Sequence, residues 1–173
     1  TAFGWYTTAS GEVSTAFGIE TTASGKYSTA FGRETTASGY YSTAFGVETE
    51  AIGWNSTAFG GATKARGDCS TAFGFNTTAS GYYSTAFGSG TTASGWNSTT
   101  FGIKNTASGH SSTAFGEFTK ANTYAMLAFG RYNDTTINHT NSYSNWWNDD
   151  PLFVIGNGTA DNNRSNALTV LKN

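Results

Sequence analysis

Hydrophobic and polar positions repeat along most of the chain in short runs of Thr, Ala, Phe and Gly. Gly recurs every seven residues from Gly4 to Gly116, and the residue before it alternates between Phe and mostly Ser. The unit is therefore 14 residues long, T-A-F-G-x-x-T followed by T-A-S-G-x-x-S, and it extends from Thr1 to about Asn133. One slot has Thr123 in place of Gly, so the repeat decays before it stops. Self-similarity at a fixed period predicts a solenoid in which each repeat stacks on its neighbours.

A seven-residue period is also typical of coiled coils, but the residue types argue against a helix here. A coiled coil places apolar residues at two positions of each heptad and helix formers at most of the others. This chain places Gly in nearly every heptad, which costs about 1 kcal/mol each in a helix. Thr, Ser and aromatic residues fill most of the other positions. These residues favour strands and turns.

Each heptad predicts a short strand followed by a corner. Because side chains alternate between the two faces of a strand, Ala16 must point away from the face that carries Phe17. Ala23 continues the Ala column on the second strand of the coil. Gly and two variable residues then form each corner. Two strands and two corners close one coil of an all-β, parallel β-solenoid with a thin Ala interior, and the coils stack at about 4.8 Å.

Ten Phe residues occupy one register slot and are expected to form an exposed apolar stripe along the solenoid. A thin Ala interior buries little apolar area. In a single roll, the free energy gained from this burial hardly offsets the conformational entropy that the chain loses on folding. A continuous exposed apolar stripe marks an interface. Three copies around an axis would bury the rings together, although the sequence alone leaves the number of copies open. The predicted interface residues are Phe3, Phe17, Phe31, Phe45, Phe59, Phe73, Phe87, Phe101, Phe115 and Phe129.

Composition and charge argue against several classes of function. Only 12% of residues are charged and the formal net charge is -2, so no basic patch is available for nucleic acid. No apolar run approaches the roughly 20 residues that span a bilayer, so no direct membrane insertion is expected in this segment. The single cysteine, Cys69, cannot form an internal disulfide and is expected to be a small, buried or half-buried corner residue. The chain begins inside a repeat, which indicates a fragment or a processed piece.

The corners that follow A-S-G are rich in aromatic residues, and several of these share one register slot. Flat amphipathic rings aligned from coil to coil offer a platform for sugars or for a partner surface. Packing between corners or against a neighbouring chain is the structural alternative. We predict ligand binding at a surface aromatic ladder that consists of Tyr27, Tyr40, Tyr41, Trp54, Tyr82, Tyr83 and Trp96.

Catalysis, cofactor binding and metal binding have little support in the sequence. His110 and His139 are the only histidines, and no Ser/His/Asp or Cys/His arrangement surrounds them. Asp149 and Asp150 lie in a polar loop, where a solvated turn is expected rather than a metal site. We therefore predict no enzymatic activity, no cofactor and no metal site.

A column of carboxylates occupies the other corner. Glu20, Glu34 and Glu48 share one slot at about 4.8 Å spacing and repel one another unless they are countered. Arg33 and Lys26 are candidate partners from the same or a neighbouring chain. An ordinary, screened surface array is expected rather than a cation site.

The A-S-G strand presents regular Thr and Ser pairs outward, similar to the T-x-T arrays of ice-binding solenoids. The array is interrupted at Glu50 and Ile52 and again at Lys64 and Arg66, which a flat ice plane would tolerate poorly. The pairs are Thr8/Ser10, Thr22/Ser24, Thr36/Ser38, Thr78/Ser80, Thr92/Ser94 and Thr106/Ser108.

The S-T-A-F-G-x-x-T-x-A-S-G unit resembles the head repeat of trimeric autotransporter adhesins of the YadA-like type, whose consensus is close to S-x-A-x-G-x-x-S. The resemblance covers about residues 1–133 and rests on many consecutive units. It implies a left-handed parallel β-roll, an obligate homotrimer and an extracellular or cell-surface location. It also implies binding to host matrix proteins or other surfaces. The chain departs from the family by using Phe where aliphatic residues are usual, which affects the expected width of the trimer core.

The rest of the chain follows a different pattern. Residues 134–150 form a polar, Asn-rich connector. Residues 151–173 contain two strand-like runs around a loop of turn formers, which predicts a hairpin-like neck or the start of a further domain. P-L-F-V-I-G-N-G-T resembles the segment before an intramolecular chaperone domain in tail-fibre-like proteins, so a phage tail fibre and a bacterial surface fibre both stay open. The N-x-S/T triplets at 133–135 and 138–140 signal glycosylation only weakly.

These patterns predict a structural adhesin or receptor-binding fibre segment that presents a repetitive surface to a host, cell or glycan partner. One alternative is a phage tail-fibre spacer, part of a virion, without a ligand of its own. The other is an ice-binding solenoid.

Overall fold

The computed structural model of the chain describes residues 1–135, 139 and 141–173. Within these residues there are 21 strands and no helix. Each 14-residue coil contributes one longer strand, in most coils with the sequence T-A-F-G-x, and most coils add one strand of two residues. The predicted all-β parallel solenoid is confirmed.

The bounds of the strands follow the repeat. The longer strands are β1 (Ala2–Trp5), β3 (Thr15–Ile19), β5 (Thr29–Arg33), β7 (Thr43–Val47), β9 (Thr57–Gly61), β11 (Thr71–Phe75), β13 (Thr85–Ser89), β15 (Thr99–Ile103), β17 (Thr113–Glu117) and β19 (Leu127–Arg131). The short strands are β2 (Thr8–Ala9), β4 (Thr22–Ala23), β6 (Thr36–Ala37), β8 (Glu50–Ala51), β10 (Lys64–Ala65), β12 (Thr78–Ala79), β14 (Thr92–Ala93), β16 (Thr106–Ala107) and β18 (Lys120–Ala121). After the repeat come β20 (Pro151–Asn157) and β21 (Asn166–Leu171).

The strands form two sheets on opposite sides of the coil. The longer strands build a 12-stranded sheet that ends with β20 and β21, and the short strands build a nine-stranded sheet. Within the repeat every pair is parallel and joins residues 14 positions apart, so that Ala16 pairs with Ala30 and Phe17 with Phe31. Because like residues stack on like, each position of the repeat becomes a straight column along the solenoid.

The interior consists of small side chains from four columns. The Ala columns of both sheets are buried, as at Ala16 and Ala23, in agreement with the sequence pattern. Corner residues of the columns that include Ser28 and Thr35 are buried too, which the sequence analysis did not predict. Many of these hydroxyls have no hydrogen-bond partner among the described residues. The interior is therefore thin and partly polar, and a single chain gains little from apolar burial.

Both corners of each coil place their second residue in the left-handed region of the backbone. Tyr27 has φ 58° at the corner after A-S-G, and Glu34 has φ 54° at the opposite corner. The N–H of Tyr27 donates to the carbonyl of Glu12 at 2.8 Å, and the N–H of Glu34 donates to the carbonyl of Ile19 at 2.9 Å. The hydrogen-bond ladder thus continues through the corners and offsets a conformation that costs L-residues about 1–2 kcal/mol.

Val13 is the residue least suited to its corner position. Its φ is 57°, and β-branched residues are outliers in this left-handed conformation. Asn tolerates the conformation and already occupies the slot at Asn55 and Asn97. We expect Val13→Asn to raise the free energy of unfolding by about 1 kcal/mol, as measured by urea denaturation. The reverse change, Asn55→Val, should lower it by a similar amount. A destabilised Val13→Asn variant would contradict the strain argument.

The 12-stranded sheet extends beyond the repeat. In β20, Val154 pairs with Ala128 and is fully buried, and Ile155 pairs with Phe129 in the Phe slot. β21 folds back antiparallel along β20 and becomes the edge of the sheet. The division of the chain into units at 1–133, 134–150 and 151–173 stays a prediction.

Candidate functional site

The predicted Phe stripe lies on the outer face of the 12-stranded sheet. Nine successive ring pairs from Phe3 to Phe129 stack nearly parallel, with centroids 4.8–5.3 Å apart and interplanar angles of 1–9°. The rings from Phe31 to Phe87 each keep 38–39% of their surface exposed despite this stacking. A single chain therefore leaves the ring edges of a continuous apolar stripe in water, which is the pattern of an interaction surface.

The apolar stripe widens at its C-terminal end. The neighbouring outward column holds Thr in the preceding coils but changes to Leu127, Phe153 and Val170 at the last three strands. In the Phe column itself, Ile155 and Leu168 continue the stripe. The sequence analysis missed this widening, because it depends on the register in which β20 and β21 join the sheet.

The seven predicted ladder residues all lie on the corner that follows A-S-G. In the first part of the corner, Tyr27 stacks on Tyr41 with centroids 4.9 Å apart. Tyr40 contacts Tyr27 and Tyr41 edge-on at 5.7 and 4.5 Å. Trp54 follows one coil later in the slot of Tyr40 and is exposed. We call this group of four the first aromatic cluster.

A second aromatic cluster lies two coils beyond Trp54. Tyr82 and Trp96 have ring centroids 5.7 Å apart at an interplanar angle of 58°. Tyr83 lies beside Tyr82, with centroids 6.4 Å apart. These three side chains and Asn97 line a shallow, largely apolar groove of about 270 Å³.

Asp68 and Cys69 occupy the corner between the two clusters. Asp68 Oδ1 accepts a hydrogen bond from the N–H of Trp54 at 2.9 Å. A hydrogen bond to the Asp68 carboxylate also raises the pKa of Tyr82. Cys69 is half-buried at φ 55°, as expected for a small corner residue. The aromatic residues therefore present two surfaces with a polar corner between them.

Two further rings extend the second cluster. His110 stacks on Trp96 at 5.2 Å with an interplanar angle of 5°, and it meets Tyr143 edge-on at 5.7 Å. The N–H of His110 donates to the carbonyl of Tyr143 at 2.6 Å, which attaches the connector to the corner. His110 shares the register slot of Trp96, so the repeat could have predicted that the two rings lie side by side. Tyr143 lies outside the repeat, and its contact with His110 could not be predicted from the repeat.

The opposite corner carries the predicted column of carboxylates that starts at Glu20. Arg33 Nε lies 3.5 Å from Glu34 Oε1, in agreement with the proposed partner. Lys26 does not serve this column: its Nζ lies 2.7 Å from Glu12 Oε2 on the aromatic corner, and this hydrogen bond raises the pKa of Lys26. Among the residues that the structure describes, no three acidic, His or Cys side chains are grouped to hold a metal ion.

A charge cluster divides the outward Thr and Ser face on the nine-stranded sheet. Arg66 Nη2 lies 2.9 Å from Glu50 Oε2, and Lys64 Nζ lies 3.8 Å from Glu50 Oε1. These long charged side chains stand between the hydroxyl pairs of the earlier coils and those of the later coils. The hydroxyl face is therefore split into two shorter stretches.

The connector contains a His–carboxylate pair that the sequence did not predict. His139 Nε2 lies 2.7 Å from Asp149 Oδ1, and this hydrogen bond lowers the pKa of Asp149. Ser142 Oγ donates to the main-chain carbonyl of His139 at 2.8 Å rather than to its ring. Among the described residues, Ser142 therefore does not make the contact between nucleophile and base that acyl transfer requires.

The predicted solvated turn is wrong for Asp150. This residue directly precedes β20 and is fully buried, and its carbonyl accepts the N–H of Lys172 at 3.2 Å. The Lys172 side chain is largely buried too, and burial lowers the pKa of its ammonium group.

The described structure does not support glycosylation at the two N-x-S/T triplets. Asn133 is fully buried, and its Nδ2 donates to the carbonyl of Lys120 at 3.0 Å, so a glycosyltransferase could not reach it. The triplet at 138–140 lies outside the described residues except for His139. In the described part of the chain, no helix has the length and apolarity needed to cross a bilayer.

Comparison with known families identifies the repeat. The YadA head domain repeat matches residues 1–21, 23–49, 51–77, 65–91, 79–102, 93–119 and 107–124. These matches cover well over half of the chain and follow the coils described above. No curated protein matches the chain. The resemblance seen in the repeat is thereby confirmed, and the chain belongs to the YadA head domain repeat family, whose solenoid fold is of a structural, adhesin-like type.

Proposed function

We propose that this chain is the head segment of a homotrimeric surface adhesin, in which three left-handed β-rolls meet along their Phe stripes. The observation that carries the proposal is the stripe itself, whose stacked rings keep their edges in water in a single chain. Membership in the YadA head family supports it, because heads of this family form trimers and are exposed at cell surfaces.

Lateral association compensates for the thin interior. Full burial of a Phe side chain is worth about 1.5–3 kcal/mol, so burial of the remaining exposed fraction contributes roughly 1 kcal/mol for each ring. The widened end of the stripe adds Leu127, Phe153 and Val170 to the same face. An apolar face of this length is expected in an obligate interface rather than on a free monomer.

The solution mass of the purified chain tests the assembly. Light scattering should give three times the chain mass of 18.2 kDa. A stable monomer would overturn the trimer, because the Phe stripe would then have no partner at working concentrations.

The aromatic corner provides the adhesive surface in this proposal. Its rings are exposed in the single chain, as at Trp54 and Trp96, and in the proposed trimer they lie at the rim of the assembly. We expect the double variant Trp54→Ala/Trp96→Ala to reduce attachment to host cells or matrix protein at least tenfold, because exposed Trp residues are typical binding hot spots. Adhesion to coated surfaces measures the loss. Phe75→Ala, which removes an exposed ring of the outer sheet away from the corner, is the matched control.

Intact adhesion in the double variant would favour the second candidate, a spacer in a bacterial or phage tail fibre without a ligand of its own. The ice-binding alternative predicts thermal hysteresis that Thr36→Tyr abolishes. The Glu50 charge cluster in the middle of the hydroxyl face argues against this alternative.

A further inference from the structure

We propose that the groove of the second aromatic cluster binds one or two rings of an uncharged glycan. This inference rests on the proposed adhesive function and assigns the ligand class of that surface. The groove is lined by Tyr82, Tyr83, Trp96 and Asn97.

Size favours a glycan over a protein partner. The groove has a volume of about 270 Å³, just below the range of about 300–1,000 Å³ that holds a drug-sized ligand. A protein interface of standard size buries about 800 Å² on each partner, far more than four side chains on two adjacent corners can supply. One or two sugar rings match the dimensions of the groove.

Shape and chemistry of the groove fit a pyranose ring. The rings of Tyr82 and Trp96 meet at 58° and form an open V, and Trp96 keeps 56% of its surface exposed. The C–H face of a sugar packs on such rings, while its hydroxyls pair with polar groups at the edge. The Asn97 amide and the Tyr83 hydroxyl supply donors and acceptors of this kind, whereas the Tyr82 hydroxyl already donates to Asp68.

The groove is preorganised before any ligand arrives. The face of Trp96 opposite Tyr82 is covered by His110, which Tyr143 in turn holds edge-on. Tyr83 and Asn97 are fixed in the left-handed region at φ 56° and 54°. Side chains held in this way lose little entropy on binding.

Charge excludes anionic sugars. Across the five corners from Asp68 to Ala125, Asp68 carries the only charged side chain, and it bonds to Tyr82 at the edge of the groove. A sialylated or sulfated glycan would meet this carboxylate at the edge of the groove.

The test uses the full chain in its native assembly, with triacetylchitotriose and cellotriose as neutral probes and sialyllactose as the anionic probe, titrated by NMR. We expect a neutral probe to bind with a Kd of roughly 1 mM per site and sialyllactose to bind at least tenfold more weakly. Trp96→Ala should weaken the neutral probe about tenfold, whereas Trp96→Phe should retain most of the affinity.

Phe75→Ala is the matched control, since Phe75 is an exposed aromatic residue in β11 and is not among the residues that line the groove. It should leave glycan binding unchanged, and circular dichroism should show that all variants fold. Three results would overturn the inference: no neutral probe binds, Trp96→Ala binds like the native chain, or sialyllactose binds as tightly as the neutral probes. The native chain could bind none of the glycan probes while the double variant Trp54→Ala/Trp96→Ala still loses adhesion. This combination would leave the adhesin proposal intact and assign the corner to a protein ligand.

Discussion

Replacement of Gly46 by Ala is expected to destabilise the solenoid by roughly 3–5 kcal/mol, because it combines overpacking with backbone strain. Gly46 has φ 131°, a conformation that residues with a Cβ rarely adopt. An added Cβ would lie 1.9 Å from the carbonyl oxygen of Gly60 in the next coil. Since backbone of the next coil cannot move without breaking its own ladder, the coils must separate. Urea denaturation monitored by circular dichroism measures the loss.

Gly61→Ala is the matched control for this effect. A Cβ added at Gly61 would lie 3.1 Å from Cδ2 of Phe75, its nearest neighbour. The Phe75 side chain is exposed and can move aside. We expect a change below about 1 kcal/mol. Equal losses in Gly46→Ala and Gly61→Ala would show that the coil-to-coil contact at Gly46 is not the cause.

The Gly positions also show why the fold could be predicted from the sequence. The 14-residue period predicted the stacking of like residues in columns, because each repeat stacks on the next. The two Gly corners in each unit predicted two strands per coil, and side-chain alternation along a strand predicted the opposite orientation of Ala and Phe. Gly at every seventh position signalled corners. It did not reveal that Gly46 and Gly60 approach so closely that no Cβ fits, because that distance depends on how the coils stack.

The candidate site was only partly readable, for a related reason. Repeat positions predicted which aromatic residues share a corner, but they could not show that Asp68, which stands in the same slot, accepts a hydrogen bond from the N–H of Trp54. Tyr143 and the widened apolar end at Phe153 lie outside the repeat. Such contacts depend on where the connector and β20 return to the solenoid, and residue period carries no information about that path.

The Phe stripe yields the second large effect. We expect Phe73→Ala to cost about 3 kcal/mol or more per chain in the assembled protein, because it removes a ring from the middle of a buried column and leaves a cavity. In a monomer the same ring is 38% exposed, and its loss removes its stacking on Phe59 and Phe87, about 1–3 kcal/mol for the two pairs, together with part of its apolar burial. Because this range reaches the loss expected in the assembly, the dependence of the loss on protein concentration reports whether the stripe is covered by other chains.

Phe75→Ala provides the control on the same strand and the same outer face. Phe75 is 65% exposed and stands in a column that also holds Arg33 and Glu117, which is unsuited to a buried core. Its removal should change stability by less than about 0.5 kcal/mol. Thermal unfolding and light scattering at several protein concentrations should show that Phe73→Ala lowers both the midpoint and the trimer fraction. If Phe73→Ala keeps the midpoint and mass of the native chain, the Phe stripe is not the intersubunit core.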